Sequence, residues 1–362
     1  MSKKASKSSI NLKKNLVSGS FEKFGASVYN QMVDGKFPSI VMPNRSVTNI
    51  KYDAKLRQFV LGNKKIQRSA RNVRHIKALT QLIWIAYIAH QLGEESKTST
   101  LRDIYYMAQA FDVTFKDQFE SDKTVTDLES IIEYAREDFN IFPEERSAIY
   151  GNLTVEYTVP GYEGQRLNLN IHPDGVMIGP ALTSADFIET DADKIICIEK
   201  GAMFTRLIEE KAWKKFNAVL IHTAGQPPRA TRCLIRRLNQ ELGLPVYIFT
   251  DADPWGISIS WTIIYGSANA AHIKELATPD AHWMGVFSTD ISKYNLPSIR
   301  LNEIDVKKLY DMQKDPRSEG PLWKEQINNF VKHKAKCELE AFSRYGLSFV
   351  TDKYLPERLG KL

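Results

Sequence analysis

The sequence predicts an α/β protein of more than one domain, with a winged-helix domain followed by an α/β domain on a parallel central sheet. Two observations carry this. Between about residues 76 and 171, three helical stretches precede two strands of alternating polarity, the order of a winged helix-turn-helix. From residue 194 onward, short apolar strands alternate with helices, the pattern of a parallel sheet with crossover helices.

Residues 1–68 read as a basic N-terminal extension, and residues 1–20, rich in Lys and Ser and poor in apolar residues, as disordered. Residues 1–77 hold 17 Lys and Arg against three acids, so residues 78–362 carry −8 of the total +6. Charge gathered in this way points to a polyanion partner. The run from Lys51 to Lys77 interleaves its bases with Tyr52, Phe59, Val60, Leu61 and Ile66. That makes Lys64, Lys65 and Arg68 candidates for ordered contact with a phosphate backbone.

The winged-helix domain is expected over residues 69–150. Its first helix runs from about 76 to 93, apolar nearly all round and ended by Gly93. A second spans about Leu101 to Phe111, and a third begins at Thr126, where Thr126 and Glu129 have capping-box spacing. LTVEYTV and RLNLNI then alternate around a turn holding Gly161 and Gly164. Residues 151–362 form the second expected domain, with its core at about 190–295. There the strands KIICIE, AVLIHT and PVYIFT alternate with helices. Leu301–Met312 and Trp323–Phe342 are candidate C-terminal helices with packing or dimer roles.

Composition removes other classes. Hydrophobic content of 43% and charged content of 25% are ordinary globular values. The cysteines Cys197, Cys233 and Cys337 are scattered with no CxxC pair, which argues against a disulfide scaffold or zinc site. The most apolar stretch, Leu79 to Leu92, is broken by Gln81, His90 and Gln91 and is too short for a bilayer span. No apolar run follows the basic N-terminus, so the protein is expected to be cytoplasmic.

Ligands of parallel sheets sit at the carboxyl ends of the strands, and three acids fall there. Glu199 closes the first strand of the second domain, and Asp251 and Asp253 close the third. Carboxylates without His or Cys suit a hard cation that keeps some water, which points to Mg²⁺. Taken singly, Glu199 also reads as a helix-start carboxylate and Asp253 as a turn residue before Pro254. Beside them HTAGQPPRATRCLIRRL places Arg229, Arg232, Arg236 and Arg237 on or near a helix start, a good phosphate binder. Some of these arginines would instead pair with acids such as Glu241.

TLRDIYYMAQAF offers two tyrosines. Leu101, Ile104, Tyr105, Ala108 and Phe111 share one helical face, so Tyr105 is expected in the core. Tyr106 lies opposite, one turn from Arg102. A phenol with a pKa of about 10 needs a nearby cation or base to act as a nucleophile at neutral pH, and Arg102 supplies the cation.

Together LRDIYY, IEKGAMFTRL, GQPPRATRCLIRRL and DADPWG resemble the A subunit of archaeal DNA topoisomerase VI, a family related to the meiotic double-strand-break protein. The resemblance runs from about residue 70 to the C-terminus. It implies a winged-helix (CAP-like) domain bearing a nucleophilic tyrosine, here Tyr106, and a Toprim domain whose acids map onto Glu199, Asp251 and Asp253. It further implies a transient double-strand break through a 5′-phosphotyrosyl link, a homodimer, and a separate GHKL-type ATPase B subunit in an A₂B₂ assembly. The chain has no GxxxxGK followed by Ser or Thr, so ATP would be bound by that partner. Meiotic relatives tend to have Tyr-Pro-Asp after the loop glycine. Here Gln226, Pro227, Pro228 and Arg229 follow Gly225, which favours the topoisomerase branch. Two alternatives stay open: a break-forming protein without strand passage, and a non-catalytic DNA-binding module.

Overall fold

The computed structural model describes residues 3–360, with side chains described from residue 14 onward. The chain forms two compact units: Met1–Lys51, Val60–Glu144 and Ala271–Ile273 in the first, and Tyr52–Phe59, Glu145–Ala270 and Lys274–Leu362 in the second. Among the described residues no helix is long and apolar enough to cross a membrane.

In the first unit, Lys3–Val33 is a helix, α1, where disorder was expected over residues 1–20. Residues 1 and 2 lie outside the described residues. Within α1, Val17, Phe21 and Val28 are buried, and Phe21 meets Phe139 edge-on at 5.6 Å. Composition missed this because packing of one narrow face, and not average hydrophobicity, orders such a helix. Strand β1 (Ser39–Pro43) pairs antiparallel with β2 (Lys65–Ser69). The buried Asn49 amide ties the intervening chain, donating to Asn44 O at 2.6 Å and Gly62 O at 3.1 Å. Only glycine fits at position 62, where a Cβ would stand 2.4 Å from Asn49 Oδ1.

Helix α2 (Val73–Glu94) is capped by the Asn72 side chain, which accepts from Arg74 N. It runs through Gly93 and does not end there. Helix α3 (Leu101–Ala110) opens on a Thr100–Asp103 capping box. Helix α4 (Gln118–Ile132) begins eight residues before the expected Thr126 start, under an Asp117 cap. Thr126 sits inside it, its hydroxyl satisfied by Asp122 O at 2.8 Å, as interior threonines do.

The two strands after these helices, β4 (Leu153–Glu156) and β5 (Arg166–Asn168), do pair antiparallel. They belong to the second unit, where β7 (Asp186–Thr190) completes a three-stranded sheet. Leu153 and Val155 enter that unit's core, so their alternation reflects burial there. Next to them is a six-stranded sheet in the order β6 (Val176–Met177), β3 (Ala148–Tyr150), β9 (Ala218–His222), β8 (Lys194–Ile198), β10 (Val246–Phe249), β11 (His282–Gly285). The last four run parallel. Their near-continuous apolar sequences follow from burial on both faces. Crossovers are α5 (Gly201–Glu209), α6 (Arg229–Leu242) and α7 (Pro254–Tyr265).

C-terminal helices occupy Glu303–Gln313 (α8) and Pro321–His333 (α9). The second is nine residues shorter at its end than expected. Lys334 turns left-handed there, and Cys337 then pairs with Ala252 across an antiparallel bridge.

Candidate active site

Parallel register places the acids. Ile198 stands beside His222 on one side and Phe249 on the other, so the three strands end level. Glu199 follows directly, and its Oε2 accepts from Asp251 N at 3.0 Å. Asp251 Oδ1 accepts from Leu339 N at 2.8 Å, and its Oδ2 stands 3.1 Å from Lys200 Nζ. Asp253 caps α7, with Oδ1 accepting from Gly256 N at 2.6 Å. Gly256 is required, since a Cβ there would lie 2.3 Å from Asp251 O. Asp253 is thus the N-cap of α7, where the sequence alone read it as a turn residue before Pro254.

Burial dominates the electrostatics. It pushes Glu199 up to about 8, with the Asp251 charge adding to the effect and the Asp251 N–H opposing it. Burial also pushes Asp251 up to about 6, against the Leu339 N–H and Lys200. Asp253 is raised by burial and held back by the Gly256 N–H and Lys336. Oxygen-only donors fit a hard divalent cation. Among the described residues, however, no three His, Cys, Asp or Glu side chains form a ready-made cage. Asp253 aims an oxygen into the α7 start and Asp251 is shared with Lys200. That arrangement suits Mg²⁺, which keeps several waters and uses few protein carboxylates.

These shifts have a measurable sign. The native state holds the Glu199 proton to a higher pH than the unfolded chain, whose value is near 4.5. Metal-free stability contributed by this group is thus lost as pH rises from about 4.5 toward about 8. In EDTA, Glu199→Gln is expected to unfold at higher denaturant than wild type at pH 8.5, by about 2 kcal/mol, and by little at pH 5. An unchanged difference across that range would rule out a buried, charge-stressed Glu199.

Arg229 and Arg232, at the start of α6, are both buried. Arg237 is structural: it pairs with Glu241 at 2.7 Å and donates to Thr183 O and Ala185 O. Lys64 and Lys65 are exposed, as a phosphate contact requires. Arg68 is committed elsewhere, since it and Arg45 both bind the buried Asp127, at 2.6 and 2.8 Å.

Tyr106 lies on α3 in the first unit, 53% exposed. The Arg102 guanidinium is 5.8 Å from its ring, and Arg102 Nη1 lies 3.9 Å from Glu144. The face argument holds for Ile104 and Ala108, which are fully buried, and fails for two others. Tyr105 is only half-buried, edge-on to Tyr106 at 5.3 Å, while Met107 meets the core. Phe111 ends the helix exposed and leans on Trp84 at 6.0 Å.

Sequence reasoning missed Lys200, Glu338 and Glu340. Lys200 is adjacent to Glu199, a proximity that could have marked it. The C-terminal segment left no such signal, because its approach to Asp251 spans 88 residues of chain.

Residues 194–359 match the Toprim domain of the family described as topoisomerase 6 A-subunit/Spo11, and residues 77–141 match type IIB DNA topoisomerase. The A subunit of type 2 DNA topoisomerase 6 from Methanothermobacter thermautotrophicus is 40% identical over 337 residues, 92% of this chain and 94% of the relative. The Halobacterium salinarum protein of that name is 40% identical, covering 92% and 93%, and that of Archaeoglobus fulgidus 39%, covering 93% and 94%. The chain belongs to the family of type 2 DNA topoisomerase 6 A subunits.

Proposed function

We propose that this chain is the component of a type IIB topoisomerase that cuts duplex DNA, with Tyr106 as nucleophile and Glu199, Asp251 and Asp253 holding Mg²⁺. The observation that carries this is the pairing of two features in a chain that aligns with a topoisomerase 6 A subunit over 92% of its length. One is an exposed tyrosine beside an arginine; the other is three carboxylates at the ends of parallel strands.

Tyr106 Oη attacks a backbone phosphorus, forming the Oη–P bond as the bond from phosphorus to the 3′-oxygen breaks. The phenol proton passes to solvent, and the departing 3′-oxygen takes up a proton to become a hydroxyl. The ester keeps the phosphodiester's energy, so the reverse attack reseals the strand without a cofactor. Arg102 draws the phosphate to the tyrosine. Glu199, Asp251 and Asp253 would hold Mg²⁺, which would supply charge stabilisation for the phosphate and the departing oxygen. Lys64 and Lys65 contribute to the DNA-binding surface, from which burial withholds Arg229 and Arg232. The helices of the first unit form the winged-helix module. A double-strand cut takes two chains, hence a homodimer, and strand passage takes a GHKL-type ATPase B subunit in an A₂B₂ assembly.

With ATP and Mg²⁺, the purified chain is expected to bind supercoiled plasmid and leave it supercoiled, and to relax it once the B subunit is added. Plasmid gels resolve this directly. ATP-dependent relaxation by the chain alone would overturn the division of labour.

A further inference from the structure

The acid site contains a cation of its own. Lys200 Nζ lies 3.1 Å from Asp251 Oδ2, 2.7 Å from Glu338 Oε2 and 3.1 Å from Glu340 Oε2. An ammonium has three donors, and here each has a carboxylate. The two glutamates flank Leu339, whose N–H holds the other oxygen of Asp251. One short C-terminal segment therefore grips both members of the Lys200–Asp251 pair. The Lys200 side chain is one-quarter exposed, whereas those of Glu338 and Glu340 are 65% and 46% exposed. The outer partners can thus remain with Lys200 while the inner one is exchanged.

We propose that Lys200 is a resident counter-ion that competes with the divalent cation for Asp251, and that Glu338 and Glu340 hold Lys200 once the cation displaces it. This rests on the metal reading of Glu199, Asp251 and Asp253. In the metal-free site, one ammonium offsets carboxylates that burial would otherwise leave unpaired. When a divalent ion arrives, Asp251 Oδ2 passes to it and Lys200 keeps two carboxylates, so the lysine is never stranded beside a like charge. Lys200 is then a positioning residue that sets metal affinity, and the C-terminal segment sets how readily it yields.

The test is Mn²⁺ binding to the full chain without DNA, read by the electron paramagnetic resonance of the free ion. Lys200→Met is expected to bind Mn²⁺ about tenfold tighter, because a competing charge at contact distance is gone. The pair Glu338→Gln and Glu340→Gln is expected to weaken binding about threefold in wild type, since Lys200 then clings to Asp251 alone. In the Lys200→Met background the same pair should change affinity by less than about twofold. Unchanged or weaker binding in Lys200→Met overturns the proposal, as does an equal glutamine effect in both backgrounds. If neither wild type nor Lys200→Met binds Mn²⁺, or if Glu199→Gln leaves their binding intact, the metal reading itself has failed. A measurement on wild type covers the case of a variant that does not fold. Reductive methylation of Lys200, followed by mass spectrometry, should rise severalfold as Mn²⁺ saturates the chain, and unchanged reactivity overturns the proposal.

Discussion

Replacing Tyr106 with phenylalanine is expected to abolish covalent attachment to DNA while leaving duplex binding within about twofold of wild type. The substitution removes one oxygen and keeps the ring, so the contact with Arg102 and the edge-on packing with Tyr105 survive. The exposed ring contributes little to the core, and stability should move by less than about 0.5 kcal/mol. Losing the only atom that bonds to phosphorus leaves no path to the 5′-phosphotyrosyl link, so the fall should exceed about a thousandfold. The measurement is a denaturing gel of end-labelled duplex, with Mg²⁺, a non-hydrolysable ATP analogue and the B subunit present. An adduct that persists in the variant would move the nucleophile to Tyr105. That residue is half-buried, not sealed in the core, and so remains a physically possible rival.

What the sequence made legible follows from how local each signal is. The strand ends at Glu199 and Asp251 were readable because short apolar runs with crossover helices admit few topologies, and ligands of such sheets sit at the strand ends. The exposed position of Tyr106 was readable because helical periodicity separates adjacent residues by about 100°. Its partner prediction, Tyr105 in the core, failed because the buried face centres on Ile104 and Ala108, with Met107 on one flank and Tyr105 half-buried on the other. Long-range packing was not readable. Composition could not say that Phe21 would order a lysine-rich helix, that Leu153 and Val155 would join the second unit's core, or that Arg68 would be drawn to Asp127. Nor could it say that the chain after His333 would leave the helix and bring Leu339 to Asp251. Each depends on a contact between residues far apart in sequence, where no periodicity or cap announces the partner.

Neutralising the acids one at a time separates their two kinds of work. Glu199→Gln is expected to cut DNA cleavage in Mg²⁺ by about a hundredfold or more. The same change relieves a carboxyl that burial has pushed up to about 8, so the fold should hold or gain stability. Loss of cleavage with an unweakened fold is the signature of a group kept for chemistry at a structural cost. Asp253 behaves differently because it also caps α7 through Gly256 N. Asp253→Asn retains a capping oxygen and removes the charge, whereas Asp253→Ala removes both. Both should lose cleavage to a similar degree, but only the alanine variant should also lose about 1 kcal/mol of stability. Adduct yield and urea unfolding on the three variants measure the two quantities independently. If Glu199→Gln cleaves at the wild-type rate, the three strand-end acids are not the metal site. If Asp253→Asn retains cleavage while Asp253→Ala loses both cleavage and stability, Asp253 is a cap alone, and the cation rests on Glu199 and Asp251.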